Sequence, residues 1–373
     1  MLYFDNAATT MPSKSALEKA EIFNTDNYFN PSALYKGGLN CAKEIKNAKE
    51  SILRNLGAIG CDVVFTSCGS ESDNLAIFGA VKRGVFVTDK GEHSAVYKCF
   101  LELKNRGHKI EFIDLNKDGS VNVEALLDFT KNNKVDFLSI VHVNNETGAI
   151  NDINIIAKKI KEINKNIIIH VDGVQAYGKL PYRISQDIDL YSISAHKING
   201  LKGIGALIKR KNVNLTPIIF GGGQENGLRS GTENVFGIKV FEYAGQEKYN
   251  NIKDYYIKTR KLKDIFLNGL NKDFFNIISG NNSSPYILSV STKGIRGEVL
   301  MHALEEQDLI VGNGSACSSK NRFSRVIEAC GYTSEILDGI IRISFSVYTT
   351  EEECFKAVEI INNTVKKLKG ILN

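Results

Sequence analysis

The sequence predicts an α/β fold, with a large unit built on a mainly parallel sheet covered by helices and a smaller α+β unit after it. Three observations carry this expectation. Between residues 62 and 172, short apolar and β-branched runs alternate with helical patterns, as βα units do. The run from Val135 to Val143 is apolar almost throughout, which a strand buried on both faces requires. Beyond Gly221-Gly222-Gly223 the alternation ends, and a long helical stretch leads into a differently patterned C-terminal part.

Taken in order, Pro12 and Ser13 open a helical pattern that runs to about Phe23. Leu39, Ala42, Ile45, Ile52, Leu53 and Leu56 then recur at helical spacing, and Gly57 supplies the stop. Strands are expected at 62–67, 85–88, 109–115, 135–143 and 167–172, with helices at 70–82, 93–105, 122–132 and 153–163. The apolar run 189–194 reads as a further strand end. A helical region from about Val235 to Leu270 links to strand 286–290, helix 297–307, strand 340–345 and a last helix. Thr350 and Glu353 form the capping box that starts that helix. The expected division is a large unit of residues 13–250 and a small one of 1–12 with 251–373.

Composition narrows the function. Hydrophobic residues make up 43% and charged residues 24% of the 373, as in ordinary globular proteins. The net charge of +5 is spread without a dense basic block, so no nucleic-acid partner is expected. No apolar run approaches the roughly 18 residues of a membrane span, and the N-terminus has no secretory pattern, so a cytoplasmic protein is expected. The seven cysteines form neither a Cys-x-x-Cys pair nor a zinc spacing, so free thiols and no metal are expected. Neither a Walker loop nor a Rossmann glycine fingerprint is present.

The chemistry concentrates at the ends of strands, where ligands of parallel sheets bind. Ser194-Ala195-His196-Lys197 puts an amine at the mouth of one strand, and Asp172 ends another upstream. That pairing is what pyridoxal phosphate (PLP) needs: a lysine for its aldehyde and a carboxylate to keep its ring nitrogen protonated. Gly69 and Ser70, between a strand and a helix, form an anion site at a helix N-terminus. His93 opens a helix beside a strand end, suited to stacking on a ring or moving protons. Asn144-Asn145 follows a strand and can grip a carboxylate or a ring oxygen. The glycine-rich loop from Gly221 to Thr232 lets backbone approach a phosphate or a neighbouring subunit. Cys317 sits in a small polar loop, about 312–323, that is expected to be mobile, with Lys320 and Arg322 favouring its thiolate. Arg342 is a charge inside an apolar strand and calls for a carboxylate. Singly, each has a plainer reading as a solvated lysine, a capped helix, a core histidine or a turn.

Together they do not. In order along the chain stand Tyr3-Phe4-Asp5-Asn6-Ala7-Ala8, Asn30-Pro31-Ser32, Glu71-Ser72-Asp73-Asn74, Glu92-His93, Asn144-Asn145-Glu146, His170-Val171-Asp172, His196-Lys197, Arg229-Ser230-Gly231-Thr232 and Gly314-Ser315-Ala316-Cys317. Over nearly its whole length the chain resembles the cysteine desulfurases of the NifS/IscS type, PLP enzymes of fold type I. The resemblance implies that Lys197 binds PLP covalently, Asp172 pairs with the ring nitrogen, Gln175 bonds the ring oxygen and His93 stacks on the ring. It places Gly69, Ser70, Ser194 and His196 around the phosphate, with Thr232 coming from the second subunit of a homodimer. Asn145, also at the cofactor, and Arg342 would bind the substrate carboxylate. The implied catalytic set is Lys197, His93 and Cys317. L-cysteine becomes L-alanine, and its sulfur passes to Cys317 as a persulfide and on to an acceptor, an iron–sulfur scaffold or a tRNA-thiolation enzyme. A selenocysteine lyase or another PLP-dependent β-eliminase is the rival enzyme, and a non-catalytic scaffold the rival of another class. Tyr35, where the family usually has histidine, and Cys68-Gly69-Ser70, where it has Gly-Ala-Thr, depart from the pattern.

Overall fold

The computed structural model describes residues 1–81, 84–313 and 323–372. Its strands are β1 (Leu2–Phe4), β2 (Cys61–Thr66), β3 (Val85–Asp89), β4 (Lys109–Ile113), β5 (Val135–Val141), β6 (Ile168–Asp172), β7 (Leu190–Ser194), β8 (Gly205–Arg210), β9 (Phe275–Ile277), β10 (Ile287–Thr292), β11 (Leu309–Val311) and β12 (Ile340–Ser344). Seven of them form the main sheet in the order β2-β8-β7-β6-β5-β3-β4. From β7 through β4 all neighbours are parallel, while β8 runs antiparallel to both β7 and β2.

Alternation along the strands divides side chains between two cores. Ile169, Val171, Ile193, Ala206 and Ile208 face one apolar cluster with the helix Lys36–Leu56. Val64, Phe86, Phe137, Leu190 and Leu207 face the other with Leu75 and Phe100. Burial on both faces is what the continuous apolar runs foretold, each large apolar side chain contributing about 1.5–3 kcal/mol when withdrawn from water.

Several expectations are corrected. The first predicted helix is two pieces, Lys14–Ala20 and Ile22–Thr25, with Ser13 capping the first through the amide of Ala16. The stretch 235–270 is likewise two helices, Val235–Asn250 and Ile252–Gly269, which meet at Asn251 in a non-helical conformation. The strand expected to end at Val143 stops at Val141, and Val143 instead pairs with Ile150 across the following turn. β8 went unpredicted because its glycine-led start has no strand signature. Pairing on both sides creates it, and a Cβ on Gly205 would lie 2.6 Å from the carbonyl carbon of Cys68. Gly57, by contrast, ends its helix at φ +63° as expected.

The C-terminal part holds an antiparallel sheet, β12-β10-β9, and the parallel pair β1-β11. Phe4 belongs to its core with Leu288, Val290, Ile341 and Ile343, and meets Phe266 edge-on at 5.2 Å. The N-terminal strand therefore packs with the C-terminal part, and Asp5 to Thr10 runs from there across the carboxyl edge of the main sheet. At its far end, Thr10 N–H donates to His196 O at 2.9 Å. Among the described residues no helix is long and apolar enough to cross a membrane.

Candidate active site

A cavity of about 320 Å³ opens at the carboxyl edge of the sheet. Gly69, Ser70, His93, Asn145, Asp172, Gln175, Ser194, His196, Lys197 and Arg342 all line it. Asp172 is the last residue of β6, and its Oδ1 accepts from the amide of Val174 at 2.9 Å. Lys197 stands in the single turn after β7, and its Nζ donates to the carbonyls of Ala7 at 2.6 Å and Ala8 at 2.7 Å.

The phosphate-type corner is built by omission. The helix Gly69–Ala80 begins after Cys68, which makes no side-chain cap, so its first amides face the cavity uncapped. A Cβ on Gly69 would come within 2.8 Å of Val174 Cγ2, so glycine holds the turn open. Beside it the Ser194 hydroxyl is buried with no hydrogen-bond partner among the described residues. A buried polar atom left unpaired in a cradle of amide N–H groups fits an anionic ligand.

His93 caps the helix Ser94–Asn105, its Nδ1 accepting from the amide of Ala95 at 3.2 Å. That bond leaves the ring proton on Nε2, and burial, the larger effect, lowers its pKa and keeps it neutral. Arg342 reaches the cavity from β12: Nη1 donates to Asn145 O and Nη2 to Asp5 Oδ1, each at 2.8 Å. The arginine's partner is thus one oxygen of Asp5, which sequence reading had not assigned, rather than a two-pronged carboxylate. Its Nε has no partner among the described residues and remains for a ligand.

Burial dominates the electrostatics. It raises the pKa of Asp172, while His93, the Val174 amide and Lys197 pull the other way. It lowers His196 to about 4, with Lys197, Lys179 and Lys202 adding to the effect. Beneath the cavity lies a buried polar layer. Ser139 Oγ donates to Glu92 Oε1 at 2.8 Å and meets His170 Nδ1 at 2.9 Å, and His170 Nε2 meets Ser192 Oγ at 2.9 Å. Burial holds His170 down at about 3, and burial with Asp172 nearby pushes Asp73 well above the carboxylate range. Asp73 lines the cavity one helical turn after Gly69, an i, i+4 spacing that sequence reading passed over.

Thr232 is exposed and does not line this cavity. Cys317 lies outside the described residues. Asn313, before it, lines the cavity, and Ser324, after it, donates to Glu146 Oε2. Five of the other six cysteines are buried and all six are free thiols, as expected.

The set fits PLP: an uncapped helix end and an orphaned hydroxyl for phosphate, a buried carboxylate for the ring nitrogen, and an amine for the aldehyde. The comparisons agree. A family model described as aminotransferase class-V matches residues 2–356. A cysteine desulfurase of Nostoc sp. is 34% identical, the match covering all of this chain and 94% of the relative. A solved NifS-like protein superposes with a TM-score of 0.92 at 32% identity, covering 98% of this chain and 99% of its own. A structure titled as SspA in complex with cysteine gives 0.78 at 30% identity, covering 94% of this chain and all of the other. The chain belongs to the class-V aminotransferase family, among its PLP-dependent cysteine desulfurases of the NifS/IscS type.

Proposed function

We propose that this enzyme converts L-cysteine to L-alanine and takes the sulfur onto Cys317. The observation that carries the reading is the convergence of Lys197, Asp172 and Arg342 on one cavity. When bound, PLP supplies an aldehyde for an amine and a conjugated ring that accepts electrons as a Cα proton leaves. Asp172 would pair with the ring nitrogen, and its burial would strengthen that contact. His93, which lines the same cavity, would cover the ring. Lys197 would hold the cofactor through its amine, and the same amine would carry the substrate Cα proton. Arg342 Nε and Asn145 orient the substrate carboxylate.

The sulfur step balances without an external oxidant. The Cys317 thiolate attacks the substrate sulfur, an S–S bond forms as the substrate C–S bond breaks, and protons complete alanine and the persulfide. The persulfide then passes to an acceptor protein, an iron–sulfur scaffold or a tRNA-thiolation enzyme, in the cytoplasm. A homodimer is supported by the exposed Thr232 and by Phe220, 78% exposed beside the glycine-rich loop. The division into a unit of residues 13–250 and one of 1–12 with 251–373 is supported by the separate cores around Val171 and Phe4.

Mass spectrometry after addition of L-cysteine tests the reading. Alanine and one extra sulfur on the peptide containing Cys317 are expected. Alanine production that survives Cys317→Ala would point to the selenocysteine-lyase type instead.

A further inference from the structure

Lys179 has no place in the scheme above, yet it is a lysine only 5% exposed. Among the described residues no carboxylate pairs with it. Its Nζ donates to Gln175 Oε1 at 2.7 Å and lies over the Tyr286 ring, 5.9 Å from its centre. Burying an amine without a counter-charge is costly, and its charged neighbours Lys197, Lys248 and Arg342 are all cations, so its pKa is held well below the usual value. In either protonation state it still presents N–H to Gln175.

Gln175 is held from two sides. Its Nε2 donates to the carbonyl of Ala7 at 2.8 Å, and a carbonyl can only accept, so the NH2 group must face that way. The same Ala7 carbonyl takes the Lys197 amine. Gln175 Oε1 is therefore turned from the N-terminal segment into the interior, where only a donor can satisfy it. Lys179 is that donor, four residues further along the same turn. Without it the amide would bury an unpaired oxygen or rotate and lose Ala7.

We propose that Lys179 is a positioning residue for the cofactor: it locks the orientation of the Gln175 amide, so that the second N–H of Gln175 is presented to the ring oxygen of PLP. This rests on the PLP reading of the cavity. A lysine suits the task because it reaches from the turn Gly173–Leu180 on a long stem and brings an N–H donor to Gln175 Oε1.

The experiment uses the holoenzyme and the visible absorption band of its bound cofactor. The pH midpoint of that band is followed in wild type, Gln175→Ala, Lys179→Met, Lys179→Gln and the double variant Gln175→Ala/Lys179→Met. Lys179→Met is expected to move the midpoint in the same direction as Gln175→Ala, by about one pH unit, a tenfold change in the protonation equilibrium. The double variant should match Gln175→Ala, because the lysine has nothing left to orient once the amide is gone. Lys179→Gln, which keeps a donor of similar length, should fall between wild type and Lys179→Met and serves if the methionine variant does not fold. A midpoint unchanged in either lysine variant, or shifts that add fully in the double variant, overturns the proposal while leaving the cofactor reading intact. A wild-type protein that takes up PLP with no visible band overturns both.

Discussion

Replacing Ser194 by alanine makes stability and cofactor affinity move apart. Ser194 is 1% exposed, its hydroxyl oxygen has no partner among the described residues, and it lies at the uncapped end of the helix Gly69–Ala80. If the chain kept this serine for its own stability, alanine would cost about 0.5–1.5 kcal/mol, the net worth of an ordinary hydrogen bond. The structure gives it no such bond, so removal relieves an unpaired buried polar group. The apoprotein should be unchanged or more stable by up to about 1 kcal/mol, part of the gain being offset by alanine's lower strand preference. Toward a phosphate, the lost bond is charge-assisted and worth about 1.5–3 kcal/mol, roughly tenfold to a hundredfold in PLP affinity. Urea unfolding of the apoprotein and a spectroscopic PLP titration measure the two effects. Apoprotein destabilised by more than about 1 kcal/mol, or PLP affinity within twofold of wild type, would refute the argument.

If Arg342 binds the substrate carboxylate as proposed, Arg342→Gln should raise KM for L-cysteine at least about tenfold with a smaller loss in kcat; steady-state kinetics decide it. Gly69→Ala places a Cβ 2.8 Å from Val174 Cγ2 and should weaken PLP binding by about 1–3 kcal/mol, and adding Val174→Ala should restore most of it in the same titration. His142 is buried, bonded through Nδ1 to Tyr191 OH at 2.9 Å, and held at about 3 by burial. Between that value and the unfolded value near 6.5 only the unfolded chain takes the proton, so the stability due to a neutral His142 is complete above pH 6.5 and is lost as pH falls toward 3. The gap between wild type and His142→Gln in urea unfolding should therefore shrink over that window, and a gap constant with pH would contradict the assignment. Cys317→Ala should abolish the persulfide peptide while leaving the PLP absorption band in place.

What could be read from the chain follows from how local its cause is. The strand ending at Asp172 and the helix stop at Gly57 were legible because period and punctuation are properties of a few neighbouring residues. Ser13, Thr350 and Glu353 were legible as caps for the same reason: the capping partners lie within three positions. β8 was not, because its strand state comes from β2 and β7 on either side. Nor was Asp73, since a carboxyl inside a short helix reads as solvated until its face is known to meet the sheet.

The sequence alone determined that a carboxylate and an amine share one edge of a parallel sheet, because the alternation of apolar runs puts residues 172 and 197 beyond the carboxyl ends of two strands; that those strands, β6 and β7, are neighbours came from the structure. Only the tertiary structure decided what closes that edge. Asp5 meets Arg342 from 337 positions away, and Ala7 receives Lys197 across 190. No periodicity encodes such pairs. They arise because β1 packs with the C-terminal strands, and burying Phe4 there draws the following segment across the cavity.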